Sequence, residues 1–202
     1  YPLFTDYFYR ILNGEAEYSK EKIYEIFAPQ FGKVLAPYDA IEGLAGTKGI
    51  YAVGFFYKKL HPITADKIDS RWADLFYNYL LNLKKYDDNY SLEALKVLSV
   101  LEKNSSRLNE LVLKILPKVS IYRGEFLYRF IMKSNIPDKF EVLYESIAKI
   151  SKTHLYYYHT MVEDTEFWKP FPKEYIKKFR ELYEKTKSDF FKEIAEQIEK
   201  SL

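Results

Sequence analysis

A chain of 202 residues is long enough to bury a core without disulfide or metal staples, and its length suits one domain. With 48% hydrophobic and 18% aromatic residues it is too apolar to stay disordered. The 31 basic and 29 acidic residues leave a net charge of +2, which gives no electrostatic basis for nucleic acid as the main partner.

The absence of Cys excludes disulfides, thiolate metal sites and Cys nucleophiles together, and fits a reducing compartment. No apolar run approaches the ~18 residues of a membrane span. The start, Tyr1-Pro2-Leu3-Phe4, lacks the basic flank and small-residue cleavage site of a signal peptide. A chain that begins at Tyr rather than Met is expected to lack its natural N-terminus. Few Gln and Met beside much Lys, Glu and Ile is a composition typical of thermophiles. The aromatics are mainly Tyr and Phe, 20 and 15. Each Tyr brings an apolar ring and one hydroxyl that needs a partner, so a Tyr-rich core has wet edges.

Apolar residues recur at helical spacing along most of the chain. Residues 3–12 and 20–27 read as helices. Residues 29–49 hold Pro29, Gly32, Pro37, Gly43, Gly46 and Gly49 and read as a loop with one turn. Residues 50–60 resume a helix, and Pro62 stops it. The clearest stripe runs over 66–85, through Ile68, Trp72, Leu75, Phe76, Tyr79, Leu80 and Leu83, with Thr64 or Asp66 as its cap. Ser91 can cap a helix through Leu92, Leu95, Leu98 and Leu101. Ser105 or Ser106 can cap the next, through Leu108, Leu111, Val112, Ile115 and Leu116, which Pro117 ends.

Residues 121–133 read as a helix around Tyr122, Leu127, Phe130 and Ile131 despite Gly124. Pro137 opens a longer helix through Phe140, Leu143, Tyr144 and Ile147 that reaches His154. Pro170 and Pro172 break the chain, and a final amphipathic helix carries Ile176, Phe179, Tyr183, Phe190, Ile194 and Ile198. Strand-like alternation is nearly absent, and no internal repeat stands out. The expected architecture is all-α: a single globular multi-helix domain over 1–170, with a C-terminal amphipathic helix over 171–202 packed on it or extending from it.

No set of catalytic residues is visible. His61, His154 and His159 are the only histidines, and no Glu-x-x-His pair occurs, so no bundle metal site is expected. No phosphate loop or nucleophile elbow occurs; the stretch 43–49 is loop-like but has the wrong glycine spacing. Tyr156-Tyr157-Tyr158-His159 suggests base stacking, but consecutive residues on a helix splay over about 200° and form no flat platform. The expectation is a protein with no cofactor that is not an enzyme.

One set of segments resembles a known family. Tyr24-Glu25-Ile26-Phe27-Ala28-Pro29, followed by Val34-Leu35-Ala36-Pro37-Tyr38-Asp39-Ala40-Ile41-Glu42, is similar to the signature of the TorD/DmsD/NarJ chaperones, Tyr-x-x-Leu-Phe-x-Gly-Pro and then Pro-Pro-Tyr-x-Ser-Val-Tyr. Phe56-Tyr57 stands in the helix that ends in Phe-Tyr in the family. Ala65-Asp66-Lys67-Ile68 stands where the family has a Pro-Asp-His-Ile loop opening an apolar helix. Ile115-Leu116-Pro117 resembles its Trp-Leu-Pro ending. The likeness covers about residues 20–155 in order and spacing, with Ala36, Ala65 and Lys67 at positions where the family has Pro, Pro and His.

The resemblance implies a cytoplasmic, all-α TorD/DmsD-like chaperone. Its partner would be the twin-arginine signal peptide, or another segment, of an apo-molybdoenzyme catalytic subunit, held back from export until the molybdenum cofactor is inserted. This chain has no Arg-Arg pair of its own. The family comparison carries over Tyr38 and Asp66, with Lys67 as a changed position. Asp39, Glu42 and Asp69 join them as carboxylates placed on the loop and at the helix mouth, suited to guanidinium groups. Each also has a structural reading: Asp66 as helix cap, Asp39 as turn residue, Glu42 and Asp69 as solvated acids, Tyr38 as packing. The loop over 29–49 is long enough to permit the helix exchange that gives family members a homodimer. The alternatives are a helical scaffold that docks a folded protein, or a haem-oxygenase-like helical enzyme.

Overall fold

The structure, a computed structural model, describes residues 10–11, 13–30, 64–82, 88–103, 105–118, 124–150, 154 and 158–201. The protein is all-α: the described residues form helices and turns, with no strand among them. The chain divides into two compact units, Tyr1–Ile115 and Leu116–Leu202. That division falls inside the 1–170 region, and residues 171–202 belong to the second unit.

In the first unit, helix α1 (Lys20–Phe27) starts where the Ser19 side chain accepts from the Lys22 amide at 3.2 Å, satisfying one of the donors a helix start leaves open. It buries Ile23. Helix α2 (Trp72–Leu81) buries Trp72, Phe76 and Leu80, one residue per turn along one face. This helix begins six residues later than the sequence stripe suggests. Ile68 is buried in phase with the stripe, yet its backbone is extended. Thr64 and Asp66 therefore do not cap α2; they belong to a separate 3₁₀ turn, Ala65–Lys67.

Helix α3 (Asp88–Leu101) packs on α2 and buries Leu92, Leu95 and Leu98. It starts at Asp88, so Ser91 lies inside it and is not its cap. Helix α4 (Ser106–Ile115) is capped by Ser105, whose Oγ accepts from the Leu108 amide at 3.0 Å. Leu108, Leu111, Val112 and Ile115 form its buried face. Arg107 ties α4 to α2, at 2.7 Å from the Asp74 carboxylate and with its guanidinium 4.0 Å from the Tyr77 ring centre. Of the helices expected over 3–12 and 50–60, all but residues 10 and 11 lies outside the described residues.

The second unit opens with a 3₁₀ turn, Leu116–Lys118, that contains Pro117. Helix α5 (Gly124–Lys133) contains the glycine, and residues 121–123 of the expected helix lie outside the described residues. A Cβ at Gly124 would collide with the Tyr158 hydroxyl, whose ring is buried and stacked on Tyr128 at 5.7 Å. Helix α6 (Lys139–Ala148) follows Pro137 and ends well before His154, so that histidine is not on it. Two one-turn helices, α7 (His159–Val162) and α8 (Thr165–Trp168), lead to α9 (Glu174–Thr186) and α10 (Asp189–Lys200).

The single C-terminal helix read from periodicity is thus two helices. Lys187 breaks it in the left-handed region at φ 53°, its amide bonded to the Tyr183 carbonyl at 2.6 Å, and α10 folds back on α9. The segment around Pro170 and Pro172 is more than a break. It carries Trp168 and Phe171 into an aromatic core with Phe140, Phe167, Phe179 and Phe191. The Trp168 indole N–H donates to the Met161 carbonyl at 2.9 Å, so the largest ring of the core leaves no buried donor unmet.

Trp72 is fully buried, stacked on Phe76 at 5.0 Å and edge-on to Tyr24 at 4.8 Å. Trp72→Ala is expected to lower stability by about 3–5 kcal/mol in a denaturation experiment. An unchanged midpoint would contradict its place in the core.

Candidate functional site

The described part of the site is the loop from Thr64 to Arg71, at the mouth of α2. Its backbone is held by side chains from far away in sequence. The Tyr18 hydroxyl donates to the Lys67 carbonyl, and the Lys20 ammonium donates to the Asp66 carbonyl at 2.7 Å. Tyr18 and Lys20 flank the Ser19 cap of α1, so the start of that helix also positions the loop. Two peptide carbonyls are thereby satisfied without a sheet or helix partner.

Asp69 builds the entry to α2. Its Oδ1 accepts from the Arg71 amide at 2.9 Å, and its carbonyl accepts from the Trp72 amide at 3.1 Å. This side-chain turn satisfies a donor that the first turn of a helix would leave open. The Arg71 side chain closes on the same carboxylate, Nε to Oδ1 at 2.9 Å and a terminal nitrogen to Oδ2 at 2.6 Å. The guanidinium lies 4.2 Å from the centre of the Tyr24 ring. Asp69 is buried, and burial of a lone carboxylate would be costly; the two-pronged arginine is what compensates it. The Arg71 hydrogen bond holds the Asp69 carboxyl below its ordinary value, against the opposing effect of desolvation.

Asp66 differs in its exposure. It is exposed, and it stays ionised through the Thr64 side chain first, then its own backbone amide and the charges of Lys67 and Lys20. It is the carboxylate of this loop that faces water. Lys67 is half-buried and lends its carbonyl to Tyr18.

Of the six residues singled out from sequence, the structure brings Asp66, Lys67 and Asp69 into one loop, and Tyr38, Asp39 and Glu42 lie outside the described residues. Asp69, read as a solvated acid or as a carboxylate for a partner, is buried and paired within the chain. Sequence reasoning missed Arg71 and the role of Tyr24. The signal for Arg71 was an Asp-Ser-Arg run directly before an apolar helix, a spacing that lets an arginine fold back on an aspartate.

Other chemistry is sparse. No group of His, Asp and Glu able to hold a metal ion occurs among the described residues. His159 stands exposed, 3.4 Å from exposed Glu163. Tyr158 is buried against Tyr128, and Tyr156 and Tyr157 lie outside the described residues. No helix among the described residues is long and apolar enough to cross a membrane. An open groove of about 560 Å³ runs along α9, lined by Lys173, Lys177, Arg180 and Lys185 together with Glu181 and Glu184. Its charges are of both signs, and Arg180 is already paired with Glu199 at 2.8 Å. Compared with known proteins, the chain matches no family model, no curated protein and no solved structure.

Asp69 makes a pH-dependent contribution whose sign follows from its depressed value. The stabilisation is present above the ordinary carboxyl value of 3.8 and is lost as pH falls through the lower folded-state value. Asp69→Asn can keep the turn through its amide oxygen but loses the charge. It is expected to cost about 1–3 kcal/mol near neutral pH. In urea titrations at a series of pH values, the gap between parent and variant should close on acidification. Parallel curves would contradict the assignment.

Proposed function

We propose that this protein is a cytoplasmic assembly chaperone. It binds the twin-arginine signal peptide, or another segment, of an apo-molybdoenzyme subunit and delays export until the molybdenum cofactor has been inserted into that client. The observation that carries this reading is the exposed, ionised Asp66 carboxylate on a loop tied down by Tyr18 and Lys20. That loop stands where the resembled family has its Pro-Asp-His-Ile loop.

The chemistry suits the ligand. A signal peptide offers two guanidinium groups and then an apolar stretch. A carboxylate on a fixed backbone meets a guanidinium without first having to be ordered, which limits the entropy lost on binding. The apolar stretch calls for an apolar or aromatic groove. In this reading Tyr38, Asp39 and Glu42 complete the site from the Gly- and Pro-rich loop, Lys67 replaces the family's His, and the chain itself performs no reaction.

Asp66 and Asp69 are not equivalent probes. Reversal of Asp69 would dismantle the turn that starts α2, whereas reversal of Asp66 alters an exposed charge and local hydrogen bonds to Thr64 and its own amide. Calorimetry is done with twin-arginine signal peptides of molybdopterin oxidoreductases. Asp66→Lys is expected to weaken binding by roughly tenfold or more, and affinity should fall as added salt shortens the screening length from ~10 Å to ~3 Å. No heat with the parent protein, or equal affinity for parent and variant, would sink the reading.

A further inference from the structure

We propose that Asp69 and Tyr24 form a guanidinium-binding site that Arg71 fills from within the chain, and that an arginine of a bound peptide takes by exchange. That the incoming arginine belongs to a signal peptide rests on the function proposed above; the site itself does not.

The pocket has the two elements that recognise a guanidinium. A carboxylate presents both oxygens to a planar fork, and the guanidinium carbon lies over an aromatic ring, 4.2 Å from its centre. The two partners of this ion pair are unequally buried. The Asp69 side chain is 7% exposed and the Arg71 side chain 47%. The half of the pair that can leave for water is the arginine.

The other arginines seated near rings differ. Arg107 meets Asp74, whose side chain is 77% exposed, and Glu102, 14% exposed, at 3.4 Å, and Arg129 meets Glu125 and Asp164, both about 30% exposed and on two different segments. Each of those arginines is divided between two carboxylates and bridges to another segment. Asp69 is a buried carboxylate whose side-chain partner sits two residues away on a turn.

Exchange conserves the bonding. The Arg71 amide also donates to Oδ1, so the carboxylate keeps its place when the side chain swings out. An incoming guanidinium restores both side-chain hydrogen bonds and the contact with Tyr24. The displaced Arg71 head, already half in water, gains the rest of its hydration. The balance is then decided by what else the peptide touches, with exposed Asp66 three residues away to take a second guanidinium. Self-occupancy acts as a tax on affinity. A charge-assisted pair of this kind leaves the site open in about a tenth of molecules or fewer, so removing the internal arginine should tighten binding about tenfold.

The test uses the full chain with Arg71→Ala, and Arg71→Lys as a second variant that keeps the charge but lacks the fork. Methylguanidinium at millimolar concentration is the probe, with methylammonium as control. Methylguanidinium should raise the melting midpoint of Arg71→Ala by about 2 °C, leave the parent unmoved, and outperform methylammonium. Arg71→Lys should respond in the same direction. If neither variant gains more than the parent, the site is not one an outside guanidinium can enter, and the inference is overturned. By calorimetry, a twin-arginine peptide should bind Arg71→Ala about tenfold more tightly than the parent. Equal or weaker binding to the variant overturns the exchange while leaving the chaperone reading intact. Rescue by methylguanidinium with no peptide binding to any of the proteins sustains the site and removes the chaperone reading.

Discussion

A carboxylate buried at the start of an aromatic helix must be compensated, and here the compensation is Arg71. The pairing of Asp69 with Arg71 decides where α2 begins, because the same carboxylate that takes the guanidinium also takes the first free amide of the helix. It decides how Tyr24 is used, since that ring meets Trp72 edge-on and the guanidinium near its centre. It separates the two acids of the loop, leaving Asp66 in water while Asp69 is committed inward. The candidate site is a consequence of solving one electrostatic problem at a helix mouth.

The same device recurs in softer form. Tyr side chains bury their rings and spend their hydroxyls on specific acceptors: Tyr18 on the Lys67 carbonyl, Tyr175 on Glu141 at 2.8 Å. Burial pushes the Tyr175 hydroxyl well above its ordinary value, helped by the Glu141 carboxylate, so it remains a donor. The Lys178 ammonium reaches the same carboxylate at 2.5 Å while lying against the Tyr144 and Tyr175 rings, so one acid gathers a phenol and a cation. A core this rich in Tyr is specified by hydroxyl partners as well as by shape.

What could be read from sequence follows from which forces leave a periodic trace. Burial on one helix face does, so the span of α1 and the Trp72, Phe76 and Leu80 face were legible. The cap of α4 was legible to within one residue, as Ser105 or Ser106, because a cap precedes its helix at a fixed distance. Backbone conformation leaves no such trace. Ile68 is in phase with Trp72 and buried, yet sits in an extended residue, which is why the helix seemed to start at Asp66. Ser91 read as a cap, but α3 had already begun at Asp88, because a serine inside a helix looks the same to periodicity as one at its boundary. The turn at Lys187 carries no Gly or Pro, so one long helix was the natural reading. Trp168 and Phe171 hid just before and between Pro170 and Pro172, in a segment too short to show a period. In the candidate site, the charges of Asp66 and Asp69 were visible as equals. Only three-dimensional packing of Tyr24 against Arg71 and Trp72 made one structural and left the other open.

The central claim is that a peptide is held at the loop from Thr64 to Arg71. Hydrogen exchange of the full chain, with and without the cognate signal peptide, addresses it directly. The account predicts slowed exchange at the amides of Asp66 to Trp72 on adding peptide, beyond what the bonds of the Lys67, Ile68, Arg71 and Trp72 amides within the loop already provide. Bound peptide that leaves those amides exchanging at their free rates, with protection confined to other segments, would contradict it.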